Sequence, residues 1–259
     1  EIVDSLVGSE MCIRDSDVPI PGTPVADFIS STVLDRLDTN TAQELEDLTL
    51  EPFPISRGDS ITDLSIDNLD DATILKWSGS RFESQHLIKH VKLASLDEDK
   101  VKSIHERLAD RWSEIEGFEA RGHEMHHRIL SGQSVSKGLA EDVFDNLGPV
   151  VASTLLSDAL DNEERGDLRI LSARAAIAIG EAKMALRISE GLTEQVDRLK
   201  IEMESFRLLG KESRFLAAEE ELLSKLGEPE RSQVLIRGAV RLHDDCLLYT
   251  SDAADEVDR

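Results

Sequence analysis

Between Leu87 and Leu226, apolar residues recur at three- and four-residue steps, and short glycine-containing turns interrupt them. One such stripe contains Ile104, Leu108 and Trp112. This spacing places the apolar side chains on one face of an α-helix, whereas a half-buried strand would need alternate positions. We therefore expect a mainly α chain whose helices pack in pairs across short turns.

Two segments within this helical region resemble each other. They are ARAAIAIGEAKMALRISEGL and RLLGKESRFLAAEEELLSKLG, which lie about thirty residues apart. This period approximates that of tetratricopeptide repeats, although the full tetratricopeptide signature is missing. Each such repeat is a helical hairpin that buries its apolar face only against its neighbours. The spacing predicts an α-solenoid of tetratricopeptide-like hairpins over residues 97–245, with a binding surface on the concave side of the helices in 135–226.

Residues 25–96 have a different pattern. Helical spacing predicts three short helices over 25–37, 41–50 and 60–69, and EPFPISRGD interrupts the last two. In ATILKWSGSRFES, two runs rich in β-branched and aromatic residues then flank Gly79, which predicts a β-hairpin. Three helices followed by a hairpin is the order of a winged-helix domain. The preceding DVPIPGTP, residues 17–24, predicts a linker because it contains three prolines and a glycine.

Both cysteines lie near an end of the chain, Cys12 in LVGSEMCIRDS and Cys246 in CLLYTSDAADE. The peptide around Cys12 resembles the translation of a transposase adapter used to prepare sequencing libraries, and the peptide at Cys246 resembles the translation of its reverse complement. One inverted repeat would encode both, so we expect residues 1–16 and 246–259 to be adapter-derived. Residues 17–245 would then be a fragment of a longer protein, with no disulfide, thiol nucleophile or cysteine-based zinc site.

The net charge of −24 and the 4% aromatic content bear on the partners of the chain. An acidic surface repels nucleic acid phosphates and anionic lipids, and few aromatic side chains are present to stack on bases. The third predicted helix lies in DSITDLSIDNLDD, which has five aspartates and no basic residue. No apolar run approaches the length of a membrane span. We expect a cytoplasmic protein that contacts neither nucleic acid nor membrane.

The peptide HEMHH at residues 123–127 matches the zinc metallopeptidase motif H-E-x-x-H. In that motif, His123 and His127 would bind zinc from adjacent helical turns and Glu124 would act as the general base, with Glu141 as a candidate third ligand. On a helical wheel, however, the apolar stripe of this helix lies roughly 130–170° from both histidines. The wheel therefore predicts that both histidines lie on a solvent-facing polar side, and a zinc-dependent hydrolase is kept as an alternative.

Other catalytic and metal-binding patterns are weak. His86 and His90 lie one turn apart with His105 beyond them, which is a second potential ligand set, although contacts between helices absorb such histidines more often. The sequence contains no G-x4-G-K-S/T loop, no G-x-G-x-x-G and no G-x-S-x-G. We therefore assign no catalytic residue and expect this fragment to be non-catalytic.

The segments FESQHLIKHVKLASL, IHERLADRW and HEMHHRILSGQ follow the predicted winged helix in order. Together with the helical repeats, over about residues 25–245, they resemble the C-terminal half of STAND-type signal-transduction ATPases, particularly archaeal ones. In that superfamily the winged-helix domain often carries an MHD-like motif whose histidine approaches the β-phosphate of ADP. His86 matches that histidine, whereas Gln85 replaces the methionine and Leu87 the acidic residue.

The resemblance implies a nucleotide-sensing role for His86 and an ATP- or ADP-binding domain upstream of residue 17. It identifies the fragment as the winged-helix hinge and helical-repeat sensor of a regulatory NTPase. A protein or small-molecule effector on the repeats would then bias the nucleotide state through the hinge. A free-standing helical-repeat scaffold is the first alternative, which a Walker motif upstream would exclude, and the zinc-dependent hydrolase is the second.

Overall fold

The computed structural model describes residues 22–56, 66–162 and 165–236, which divide between Ala175 and Ala176 into two compact units. The chain is mainly helical, as the periodicity predicts. Segments 1–16 and 246–259, which we expect to be adapter-derived, most of the linker and residues 60–65 of the third predicted helix lie outside the described residues. The boundary expected between residues 96 and 97 falls inside the first unit.

The first part of unit 1 contains helices and a small sheet. Its elements are α1 (Pro24–Thr32), a 3-10 turn (Leu34–Arg36), α2 (Thr39–Leu50), β1 (Ile55–Ser56), α3 (Ile66–Asp71), β2 (Leu75–Ser78), β3 (Arg81–Ser84) and α4 (His86–Ala94). Asp38 caps α2, because its carboxylate accepts the backbone N–H groups of Asn40 and Thr41.

The three strands form an antiparallel sheet in the order β1-β3-β2. The predicted hairpin around Gly79 is confirmed: β2 and β3 are joined by two residues, and Gly79 has a φ of +63°, as the first central position of a type II′ turn requires. Strand β1 was not predicted, because two residues are too few to show an alternation. Its Ile55 pairs with Phe82 of β3, which is fully buried.

Longer helices complete unit 1 and lead into unit 2. They are α5 (Glu98–Glu114), α6 (Phe118–Ser131), α7 (Lys137–Asn146), α8 (Pro149–Asn162) and α9 (Gly166–Ala178), within which the division between the units falls. Asp97 caps α5 by accepting the N–H of Lys100 at 2.8 Å. Ser136 caps α7 by accepting the N–H of Leu139.

Helix α6 lies between two apolar cores within unit 1. Ala120 packs with the core that the sheet, α2 and α5 build, whereas Met125 and Ile129 belong to the core of α7, α8 and the start of α9. Gly122 permits the close approach of α7's end, because a Cβ at this position would lie 2.7 Å from Leu147 Cδ1. Helix α6 is therefore buried on two opposite faces.

Unit 2 contains α10 (Ala182–Ser189), α11 (Gln195–Leu208), α12 (Glu212–Lys225) and helical residues over 230–236. Leu199 and Met203 of α11 pack against Ala218 and Leu222 of α12. The same helix ending occurs about thirty residues apart, at Gly180 and Gly210.

Both glycines have positive φ and close a Schellman motif, in which the glycine N–H bonds three residues back and the following N–H bonds five residues back. This recurrence matches the period of the two similar segments in the sequence. No helix within the described residues is both long and apolar enough to cross a bilayer.

Replacing Phe82 with Ala tests the sheet as part of the core. We expect the free energy of unfolding to fall by about 3–5 kcal/mol, because a fully buried aromatic ring is removed. Urea denaturation followed by tryptophan emission reports on unit 1, since Trp77 and Trp112 are the chain's two tryptophans. The control is Leu87→Ala on exposed α4 surface, with an expected change of under about 0.5 kcal/mol. Equal losses of unfolding free energy in the two variants would contradict the assignment of Phe82 to the core.

Candidate functional site

Two histidines of HEMHH meet a glutamate from a distant part of the chain. His123 and His127 lie one turn apart on α6, and Glu51 follows the last residue of α2. The distance from Glu51 Oε2 to His123 Nδ1 is 2.7 Å, and to His127 Nε2 it is 3.3 Å. These three ligand atoms all lie within 4.8 Å of one another. Glu51, His123 and His127 are hereafter called the Glu-His cluster.

The prediction of solvent-facing histidines is wrong. His123 is 4% exposed and His127 is fully buried. The angular separation on the wheel is right, because Met125 and Ile129 face the opposite core. The error lies in assigning the other side of the helix to solvent, since α5 and the end of α2 cover it.

Glu51 is positioned by the end of α2 and held as a carboxylate. Its backbone is extended, with a φ of −66° and a ψ of 130°, where the helix stops. Oε1 accepts the indole N–H of Trp112 at 2.9 Å, which leaves Oε2 facing the two histidines. Burial alone would raise the pKa of Glu51, but the charge of His127 and hydrogen bonds from both histidines hold it well below the ordinary carboxyl value.

A third histidine extends the cluster. Nδ1 of His105, on α5, lies 2.7 Å from Nδ1 of His127. Burial, reinforced by the charge of His127, lowers the pKa of His105 to about 4. His105 is thus neutral at pH 7 and presents a lone pair to His127. A chain of contacts runs from Glu51 through His127 to His105.

A second charged contact joins the same helices. The Asp47 carboxylate on α2 is buried and pairs with Arg107 and with Arg111, the latter at 3.1 Å. On the other side of α2, Lys89 donates to the backbone carbonyl of Glu51 at 2.9 Å. The end of α2 is therefore fixed to α4, α5 and α6 by polar contacts as well as by apolar packing.

The structure separates the two remaining residues of the hydrolase interpretation from the Glu-His cluster. Both oxygens of the Glu124 carboxylate are occupied on its own helix, Oε2 by Arg121 at 2.6 Å and Oε1 by Arg128 at 2.9 Å. Glu141 is exposed and lies 3.5 Å from Lys137 Nζ. The cluster thus takes its third potential ligand from Glu51, not from Glu141.

His86 is the first residue of α4 and is exposed. Its Nε2 lies 2.9 Å from Nε2 of His90, and the two ring centroids are 4.1 Å apart. His105 lies with His127 instead, so the three histidines do not form one site. The side chain of His86 is open to solvent from the N-terminal end of α4.

Sequence reasoning missed Glu51, His105 and Trp112 as members of this site. The local signal for Glu51 is weak. It is a charged residue that follows the mostly apolar segment Leu48-Thr49-Leu50 and directly precedes a proline. Its partners lie 61 to 76 residues away, so no periodicity links them. Trp112 had been identified only as a member of an apolar stripe.

Comparison with protein-family models, curated proteins and solved structures gives no match for the chain. The chemistry open to the cluster follows from its donor atoms. One carboxylate oxygen and two imidazole nitrogens suit either shared protons or a divalent transition metal. Protons between the carboxylate and the imidazoles give hydrogen bonds, whereas a metal ion between the same atoms gives a coordination site.

The lowered pKa of His105 predicts acid sensitivity. The folded chain resists protonating His105 until about pH 4, whereas the unfolded chain takes up this proton near pH 6.5. Stability is therefore fully present above about pH 6.5 and is lost as the pH falls towards 4. Between pH 7 and pH 5, the free energy of unfolding of the wild type should fall. We expect this fall to be about 2 kcal/mol smaller in the His105→Asn variant.

Urea denaturation at pH 7, 6 and 5 measures this difference. Burial lowers the pKa of His126 in the same direction, and His105 adds to that lowering, so the difference between the wild type and the variant reports on His105 together with its effect on His126. Parallel pH profiles for the two proteins would show that His105 titrates normally.

Removing Asp47 tests the second charged contact. We expect Asp47→Ala to lower the free energy of unfolding by about 2–3 kcal/mol, because two neighbouring guanidinium groups lose their shared partner. The matched control is Glu83→Ala, which breaks the solvent-exposed pair with Lys76 and should cost about 0–1 kcal/mol. If the two losses are equal, Asp47 does not anchor α2.

Proposed function

We propose that this chain is the winged-helix hinge and helical-repeat sensor of a STAND-type regulatory ATPase, and that catalysis belongs to a nucleotide-binding domain elsewhere in the full protein. The observation that carries the proposal is the construction of α4. One end of this helix presents His86 to solvent, and its next two turns hold the end of α2. A change at His86 would therefore move a helix that is fixed to the rest of unit 1.

The element order supports a winged helix. Helix α2, strand β1, helix α3 and the β2-β3 hairpin follow one another, and the strand order β1-β3-β2 places the first strand beside the last. Strand β3 leads into α4 after the single residue Gln85. This position of His86, at the junction of β3 and α4, supports the nucleotide-sensing role that the resemblance implies.

The contacts of α4 provide the coupling. Lys89 Nζ donates to the carbonyl of Glu51, and Lys92 Nζ lies 3.1 Å from Glu46 of α2. Glu46 also lies 3.2 Å from Lys100 at the start of α5. Displacement of α4 would thus pull on α2 and on the first long helix together, as a hinge between two states requires.

The helices after α6 provide the sensor in this proposal. Paired helices with recurring glycine turns, as in unit 2, are the architecture of proteins that bind peptides or other proteins on repeat surfaces. We place a protein or small-molecule effector on the exposed faces of these helices. The protein would act in the cytoplasm, where ATP and ADP are available.

DNA is not part of the proposal. A winged helix that reads DNA inserts a helix into the major groove and contacts phosphates with basic side chains. Helix α3 contains Asp67, Asp70 and Asp71 and no basic residue. Asp70 also accepts the indole N–H of Trp77 at 2.8 Å, which directs it to the sheet.

The first test is the gene sequence on both sides of the codons for residues 25–236. A strand, a G-x4-G-K-S/T loop and an acidic strand end upstream in frame are expected, because ATP hydrolysis requires them. A gene that starts near residue 17, or that encodes LVGSEMCIRDS as a native peptide, would overturn the proposal and favour the free-standing scaffold.

The second test uses the full-length protein and a fluorescent ADP analogue. We expect His86→Ala to speed ADP release by about tenfold, which corresponds to the loss of one hydrogen bond to a charged phosphate. The control is Lys102→Ala on the exposed side of α5, which should leave release unchanged. Equal release rates for His86→Ala and the wild type would remove the nucleotide-sensing role.

A further inference from the structure

We propose that Glu51, His123 and His127 bind a divalent transition metal of the Zn²⁺ type, which ties the end of α2 to α6. The proposal is independent of the ATPase assignment, because it concerns only side chains of unit 1. It also differs from the hydrolase alternative in its ligand set and in its role. The ion would be structural, and its binding would strengthen the contact between the sheet-bearing part and the long helices.

Two of the three distances between the donor atoms are close to those of a zinc site, and the third is at most 4.8 Å. Zinc bonds of 2.0–2.1 Å in a tetrahedral site place ligand atoms about 3.3 Å apart. Glu51 Oε2 and His127 Nε2 are 3.3 Å apart, which fits without movement. Glu51 Oε2 and His123 Nδ1 are 2.7 Å apart, the length of a charge-assisted hydrogen bond, and would separate by about half an ångström around an ion.

Each ligand is oriented by a second partner, as in established metal sites. Trp112 donates to Glu51 Oε1 and leaves Oε2 for the ion. The indole ring of Trp112 also stacks on His123 at 4.0 Å between centroids, which fixes the plane of the imidazole. With His127 Nε2 on the metal, its Nδ1 carries the proton and donates to Nδ1 of His105 at 2.7 Å.

A cleft open to solvent borders one member of the cluster, His123, and is not lined by Glu51 or His127. His123 lines a cleft of about 210 Å³ that Ser56, Trp112 and Glu119 also border. In the proposed site an ion would enter past His123, and a water molecule from the cleft would supply a fourth ligand. Two imidazoles and one carboxylate favour Zn²⁺ and its first-row neighbours over Mg²⁺ or Ca²⁺, which prefer oxygen ligands.

The contacts of Glu124 assign binding rather than hydrolysis to this site. A hydrolytic zinc centre of the H-E-x-x-H type needs the glutamate as a free base beside the metal-bound water. Arg121 and Arg128 occupy both of its carboxylate oxygens. The motif is therefore used here for its two histidines alone.

Metal binding is measured with the full chain carrying Cys12→Ser and Cys246→Ser, because free thiolates bind zinc. Titration against a chromophoric zinc chelator at pH 7.5 should give one Zn²⁺ per chain. Co²⁺ should give visible absorption of the intensity typical of four-coordinate sites. X-ray absorption of the zinc-loaded protein should show two imidazoles and no sulfur, a readout that needs no substitution in the cluster.

The variants locate the ion. We expect Glu51→Gln, which keeps the shape of the side chain, to weaken zinc affinity at least about 100-fold, and Trp112→Phe to weaken it about 10–100-fold. The control is His86→Gln with His90→Gln, which removes the surface histidine pair and should leave binding intact. Zinc should raise the Tm of the background protein by at least about 4 °C and leave that of Glu51→Gln unchanged.

Three results would overturn the proposal. The first is binding of much less than one zinc ion per chain, and the second is loss of binding in the His86 and His90 variant. The third is a zinc spectrum without two imidazoles. Since the stoichiometry and the spectrum are taken on protein with an intact cluster, misfolding of Glu51→Gln would not prevent a decision.

Discussion

A buried carboxylate needs donors for both of its oxygens, and Glu51 finds them on two different helices. Trp112 on α5 binds one oxygen, and His123 and His127 on α6 bind the other. The residue itself ends α2, so this single side chain fixes the relative placement of three helices. Removing any partner would leave a charge in a low-dielectric interior, which costs several kcal/mol. The placement of α2, α5 and α6 therefore depends on these polar contacts as well as on apolar packing.

The position of α6 explains why the site escaped the helical wheel. A wheel gives the angle between two sets of side chains, and it gave this angle correctly for His123 and Met125. It does not tell whether the second face meets water or another helix. In this chain both faces are covered, one by α7 and α8 and the other by α5 and the end of α2. A helix with polar residues on one side is amphipathic in sequence and can still be central in the fold.

Local signals predicted most of the helices, because their apolar spacing and the glycine turns act within a few residues. The hairpin at Gly79 was predicted for the same reason, since a two-residue turn has its own sequence signature. Strand β1 could not be predicted, because it is defined by its pairing with β3, in which Ile55 lies opposite Phe82, 27 positions later in the chain. The role of Glu51 could not be predicted for the same reason. Its histidine partners are more than 70 residues away, and its role is set by tertiary packing.

An interface held by charges behaves differently from one held by apolar packing. Apolar contacts vary little with pH or with ions, whereas the strength of a Glu-His contact depends on which protons and which cations are present. The end of α2 is held by this cluster, by Asp47 and by Lys89, and α4 joins the same residue from the His86 side. A nucleotide at His86 and an ion at the Glu-His cluster would therefore act on one element, the end of α2. Two ligands that bias the same element must influence each other's binding, because the coupling free energy between them is reciprocal.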